Sequence, residues 1–222
     1  MGWTGFAAVF AAFFLTHSIP VRPAVKSRLV GWIGARGFGL GYSALSIGML
    51  ALLIWSAGKA PYVQLWPQME WHRHAAHMGM LAVCVILALS IGRPNPFSFG
   101  GARNDRFNAA RPGIVRWTRH PVLLALAIWA GVHLLPNGDL AHVILFVVLG
   151  GFALAGCALI DRRKRRLLGL SRWQAFDKAR KAAPLVRAPC SWQALFFRLL
   201  AGLAAFVALL LAHPYVIGVS AW

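Results

Sequence analysis

Arg119-His120-Pro121 opens an apolar run, and His133 follows thirteen residues after His120 on that same run. Imidazole can ligate a metal, carry a proton or switch charge near neutral pH. Ionisable side chains set in long apolar segments are functional candidates, facing a bundle interior or a wet cavity. His17 ends a helical face built from Phe6, Phe10, Phe13 and Phe14. That face suits a flat hydrophobic cofactor ligated at its edge, and equally suits ordinary packing against lipid or core. His213 sits late in the chain, in Ala212-His213-Pro214. At about 1.5 Å and 100° per residue, His120 and His133 differ by roughly 20 Å in height and 140° in facing. They cannot share one metal ion, so they have separate tasks. Glu70, His74 and His77 fall on one helical face and could hold a metal. A wet interfacial surface is the more economical reading of those three.

The elements that must position these residues are membrane helices. The 222 residues are 59% hydrophobic, carry a formal net charge of +18 and include only five acidic side chains. Such basicity can mean nucleic acid, but a nucleic-acid binder does not devote most of its length to apolar runs. Six runs approach the roughly 20 residues that cross a bilayer. They are 3–19, 38–58, 74–92, 121–136, 140–160 and 194–213. The expectation is an all-α, polytopic bundle of about six transmembrane helices in a single domain over residues 1–222. Asn137-Gly138 predicts a tight turn between the fourth and fifth. Twenty of the 23 Lys and Arg fall in alternate loops, the first, third and fifth. The positive-inside rule places those loops in the cytoplasm and both termini on the periplasmic side. The first run has no basic residue before it and several after it, so it reads as an uncleaved helix rather than a signal peptide.

The remaining features have plainer readings. Trp3, Trp55, Trp66, Trp71, Trp117 and Trp222 fall near the expected interfaces, as an aromatic belt does. Gly37-x-x-x-Gly41 is a small-residue pattern for close helix packing. Cys84, Cys157 and Cys190 show no metal or disulfide spacing and read as free thiols. Arg116 and Arg119 anchor the fourth helix at the headgroups, and Asp161 either neutralises the arginines beside it or caps its helix against the membrane.

Several strings occur in an order that resembles the NnrU family of bacterial membrane proteins. They are THSIPVRP (16–23), GYSALSI (41–47), RPNPFS (93–98), TRHPVLLALAIWAGVHLLPNGD (118–139) and DRRKRRLLG (161–169). That family is in turn similar to 15-cis-zeta-carotene isomerase, which also carries RHP, a histidine thirteen residues on, a DRR run and a late AHP. The resemblance implies a bacterial inner-membrane protein that binds b-type haem, with a role associated with denitrification and nitric oxide reduction. The isomerase's ligands correspond to His17 and His133 here, as axial ligands of the haem iron. Its cysteine one turn before the second ligand is replaced by Ala130, a departure that counts against its isomerisation chemistry.

Helical rise sets His17 toward the cytoplasm and His133 toward the outside. The depth-matched alternatives are therefore His17 with His120, or His133 with His213. An iron centre in an apolar bundle could take a gaseous or small hydrophobic ligand. RHP followed by an acid and a basic amphipathic stretch is also similar to the isoprenylcysteine and phospholipid methyltransferase superfamily. That likeness implies S-adenosylmethionine held near Arg119, His120 and Asp161. A polyene isomerase and a non-enzymatic assembly protein complete the alternatives.

Overall fold

The computed structural model describes residues 1–220, so Trp222 lies outside the described residues. The protein is all-α, with seven α-helices among the described residues. Four are long and apolar enough to cross a membrane: α2 (Pro23–Ala57), α3 (Glu70–Ser90), α5 (Leu140–Leu168) and α7 (Trp192–Val216). Two shorter apolar helices, α1 (Trp3–Ser18) and α4 (Pro121–Leu134), complete the six apolar elements expected. The remaining helix, α6 (Leu170–Ala182), is polar and basic. Many large apolar side chains face outward, among them Trp32, Leu40, Ile47, Leu154, Phe196 and Leu211. Such surfaces suit lipid as the surrounding solvent.

Three element boundaries differ from expectation, each for a local reason. The first basic loop is largely helical, because α2 starts at Pro23, a residue favoured in a first helical turn. Gly34 then breaks α2 internally with φ 72° and ψ 165°, a conformation that glycine adopts without steric cost. At its far end α5 runs through the arginine-rich segment to Leu168, since Arg, Lys and Leu are good helix formers. Gly169, at φ 79°, stops it and lets α6 begin in a new direction.

The chain divides into two compact units. The first comprises Met1–Pro67 with Gly138–Leu145. In it α1 packs on α2, burying Phe6 and Phe13. Tyr42 donates its hydroxyl to the His17 carbonyl at 3.1 Å. Gly37 and Gly41 do not mark a close helix contact here: a Cβ on Gly41 would meet nothing within 4 Å. The connection from α4 to α5 is short, as expected, but its turn residues are Leu135 and Pro136 rather than Asn137 and Gly138. The Gly138 carbonyl accepts from Leu65 N at 2.7 Å and Trp66 N at 3.2 Å.

The second unit holds Gln68–Asn137 and the chain from Phe146 onward. There α3 packs against both α4 and α7. Glycines mark the close approaches. A Cβ on Gly79 would overlap the Val132 side chain of α4, and one on Gly202 would come 3.2 Å from Cys84 O and Val85 Cα. At the basic end of this unit a small core gathers Phe97, Val115 and Trp173, with Phe107, Ile114, Leu168 and Phe176 around it. It ties the long connection between α3 and α4 to α6.

Candidate functional site

The densest polar arrangement in the second unit lies over that small core. His120 caps the start of α4, its carbonyl accepting from Leu124 N at 2.9 Å. Asp161 projects from α5, and Asp177 and Arg180 from α6. His120, Asp161, Asp177 and Arg180 are all buried, as are Asn95 and Ser98 of the connection before α4. Burying so many polar groups is tolerable only where each is satisfied.

The pairing is nearly complete. His120 Nε2 lies 3.0 Å from Asp161 Oδ1, and its Nδ1 lies 3.0 Å from Ser98 Oγ. An ionised carboxylate only accepts, so Nε2 carries the proton and the neutral ring accepts the Ser98 hydroxyl at Nδ1. Arg119 forks onto the same carboxylate, donating from Nη2 to Oδ2 at 2.6 Å and from Nε to Oδ1 at 3.3 Å. Its Nη1 reaches Asp177 Oδ1 at 3.2 Å. Asp177 also receives Arg180 Nη2 at 2.7 Å and pairs with Lys181 Nζ at 2.9 Å. Arg180 Nη1 bonds the carbonyls of Val115 and Arg116 at 3.0 and 2.8 Å. Asn95 donates from Nδ2 to the Arg119 carbonyl at 3.0 Å. Arg119 and Arg165 lie over the Trp173 ring at 5.2 and 4.3 Å.

The electrostatics follow from that packing. Burial alone would raise the Asp177 carboxyl, but hydrogen bonds from Lys181 and Arg180 and the charges of Arg180 and Arg119 hold it at about 2. Burial also works against the Arg119 cation, and Asp161 and Asp177 outweigh it, so its pKa lies above the ordinary value. His120 falls below its usual value: burial dominates, Asp161 opposes it, and Arg119 and Arg180 add to the fall.

Trp173 Nε1 is the exception, a buried donor without a hydrogen-bond partner among the described residues. The arrangement is otherwise closed on itself. It latches the start of α4, the end of α5 and the face of α6 together.

The other candidate histidines stand elsewhere. In the first unit, His17 Nδ1 is 3.2 Å from the Phe13 carbonyl, and the two rings stack at 4.2 Å. In the second unit, His133 Nδ1 is 2.8 Å from the Trp129 carbonyl. The rings of Trp129 and Phe146 flank it at 5.3 and 5.5 Å. His213, in the last turn of α7, has Nδ1 2.8 Å from Val219 O. Glu70, His74 and His77 do not form a metal site. Among the described residues no group of three or more His, Cys, Asp or Glu is placed to hold an ion.

One comparison decides the family. The family model described as NnrU protein matches residues 5–221, nearly the whole chain. The chain belongs to the NnrU family. No curated protein and no solved structure matches it. Within this NnrU chain, sequence reasoning reached Arg119, His120 and Asp161 but not Ser98, Asp177, Arg180 or Trp173. A signal for Asp177 existed: it is one of five acids in a chain of 23 Lys and Arg, and such an acid is expected to be paired. Nothing comparable marks Ser98 or Trp173.

Proposed function

We propose that this NnrU protein crosses the bacterial inner membrane six times, with both termini periplasmic, and holds b-type haem for a role in denitrification and nitric oxide reduction. The topology is supported by the twenty Lys and Arg concentrated in alternate connections. On this reading the latch around Asp161 lies at the cytoplasmic end of α4 and α5, and α6 rests at the membrane surface.

The observation that carries the haem reading is the tautomer imposed on His133. A backbone carbonyl can only accept, so the contact to Trp129 O puts a proton on Nδ1. In the neutral ring Nε2 then keeps its lone pair, and a backbone hydrogen bond of this kind orients and strengthens a ligating imidazole. His17 makes the same contact to the carbonyl four residues before it. The aromatic walls from Trp129 and Phe146 suit a flat apolar group. His133 is thus the primary ligand, and His17 is the second on the resemblance to the carotene isomerase. What haem supplies when bound is an iron centre able to take a gaseous ligand or exchange an electron.

Two features disfavour the other readings. Ala130 is buried, and a Cβ on Gly150 would come within 3.3 Å of its own Cβ, so the isomerase's cysteine has no counterpart and little room there. Asp161 is already committed to Arg119 and His120, which leaves it poorly placed to hold S-adenosylmethionine.

The test is an absorption spectrum and haem assay of detergent-purified protein made in haem-replete cells. A Soret band with near-stoichiometric haem that falls sharply in His133→Ala is expected. Protein lacking that band overturns the reading.

A further inference from the structure

A groove near the latch is not used by any of this. Beyond its apolar part, α5 carries Arg163 and Lys164 alongside the loop Ser98–Gly101. Together with Asn104, Ile160 and Leu167 these line an open groove of about 380 Å³. That falls within the roughly 300–1,000 Å³ of small-ligand sites.

The lining of the groove carries two cations and no acid. Among the described residues, the ion pairs at this end use Asp161 and Asp177, and both are taken by Arg119, His120, Arg180 and Lys181. Arg163 and Lys164 form no ion pair among the described residues. Lys164 is half-buried and lies next to Arg163, a second cation. The backbone amides of Phe99, Gly100 and Gly101 donate to no acceptor among the described residues. Gly100 lies at φ 81°, the left-handed region, which turns the loop where those amides follow one another. Successive free amides beside cations form the kind of concavity that takes an anion. An ammonium held half out of water without a counter-charge is costly, and an anion there removes that cost. Ile160 and Leu167 leave one wall apolar.

We infer that this groove binds a phosphate ester, with Lys164 and Arg163 supplying the charge and the Phe99–Gly101 amides bonding the phosphate oxygens. Two sources share that chemistry: the headgroup of an anionic phospholipid and a soluble phosphate ester. The site is independent of haem.

The experiment titrates detergent-purified, full-length protein with dihexanoyl phosphatidic acid, with and without glycerol 3-phosphate as competitor. Lys164→Gln should weaken binding at least ten-fold. Lys178→Gln, which removes the same charge from an exposed position on α6, should change it less than two-fold. Competition by glycerol 3-phosphate assigns the groove to soluble esters, and resistance to it assigns the groove to a lipid headgroup. Equal weakening by both variants, or no binding of either probe, overturns the inference. If Lys164→Gln does not fold, amide hydrogen exchange of the wild-type protein decides. Slower exchange at residues 99–101 on adding the lipid supports the site, and unchanged exchange overturns it.

Discussion

His120 and Asp161 are 41 residues apart in the chain and meet at 3.0 Å through Nε2 and Oδ1. The contact joins the residue that caps α4 to the segment of α5 where apolar sequence gives way to arginines. Because Arg119 forks onto the same carboxylate, Asp161 serves two partners at once. Removing its charge leaves a guanidinium and an imidazole N–H under-compensated in a buried setting. Asp161→Asn is therefore expected to destabilise the protein by about 3 kcal/mol, in the range for breaking one side of a buried pair. Thermal unfolding in detergent measures it, and a melting temperature within 1 °C of wild type would count against the latch.

His120 gives that latch a pH dependence of definite sign. Its folded pKa is lowered, so the unfolded chain binds a proton first as the solution is acidified through about 6.5. Protons then favour the unfolded state, and stability falls from about pH 7 toward pH 5. His120→Gln should flatten that part of the profile while lowering stability at pH 7.5. A variant whose stability declines as steeply as wild type over this window would place the titration elsewhere.

Asp177 acts in a lower window. Its carboxyl is held at about 2, against 3.8 for an unperturbed group. The stabilisation is present above about pH 4 and is lost as pH falls toward 2. Asp177→Asn should remove that acid-dependent loss and, at neutral pH, loosen α6, since Arg180 and Lys181 would lose their counter-charge and Arg119 would keep Asp161 alone. Limited proteolysis after residues 178–187 reads this out. Unchanged cleavage at neutral pH would show that α6 is held by the Phe97–Trp173 core alone.

The helices were legible because apolar periodicity and length are local properties. All six apolar runs became helices, and the short connection expected between the fourth and fifth formed, with its turn at Leu135-Pro136. The helical start of α2 and the whole of α6 were not legible, since their basic residues read equally as loop. RHP and Asp161 could be singled out by type, but nothing in spacing says that His120 meets an acid 41 residues away or that Arg119 meets one 58 residues away. Those contacts depend on how α5 continues past Ile160 and where Gly169 turns the chain.

If haem is held as proposed, the candidate ligands separate by substitution. His133→Ala should then lose most of the haem, and His17→Ala should retain it with an altered absorption spectrum. His120→Ala should keep the wild-type spectrum, because both its ring nitrogens are engaged by Ser98 and Asp161. His213→Ala should keep it too. His213, in the last turn of α7, is the depth-matched competitor to His17. Loss of haem in His213→Ala with a normal spectrum in His17→Ala would move the second ligand to α7.

Gly202 governs how α7 is held. It is the one buried residue of that helix among those described, and most of the rest of α7 is exposed. Apolar side chains gain little from meeting one another when the surroundings are lipid, so attachment depends on close packing and hydrogen bonds. Here the approach is to backbone: a Cβ on Gly202 would sit 3.2 Å from Cys84 O and Val85 Cα, and neither can rotate away. Arg198 adds a hydrogen bond from Nη1 to Ile91 O at 3.2 Å. Gly202→Leu is expected to push α7 off α3 at a cost of about 1–3 kcal/mol for overpacking. The Cys84 thiol, buried at that contact, reports the separation. In the wild type a maleimide should label exposed Cys190 readily, the more so because the Arg111 hydrogen bond lowers its pKa, and should leave Cys84 unlabelled. In Gly202→Leu, Cys84 should become labelled while Cys190 is unchanged. Continued protection of Cys84 would mean that α7 is seated by contacts other than this glycine.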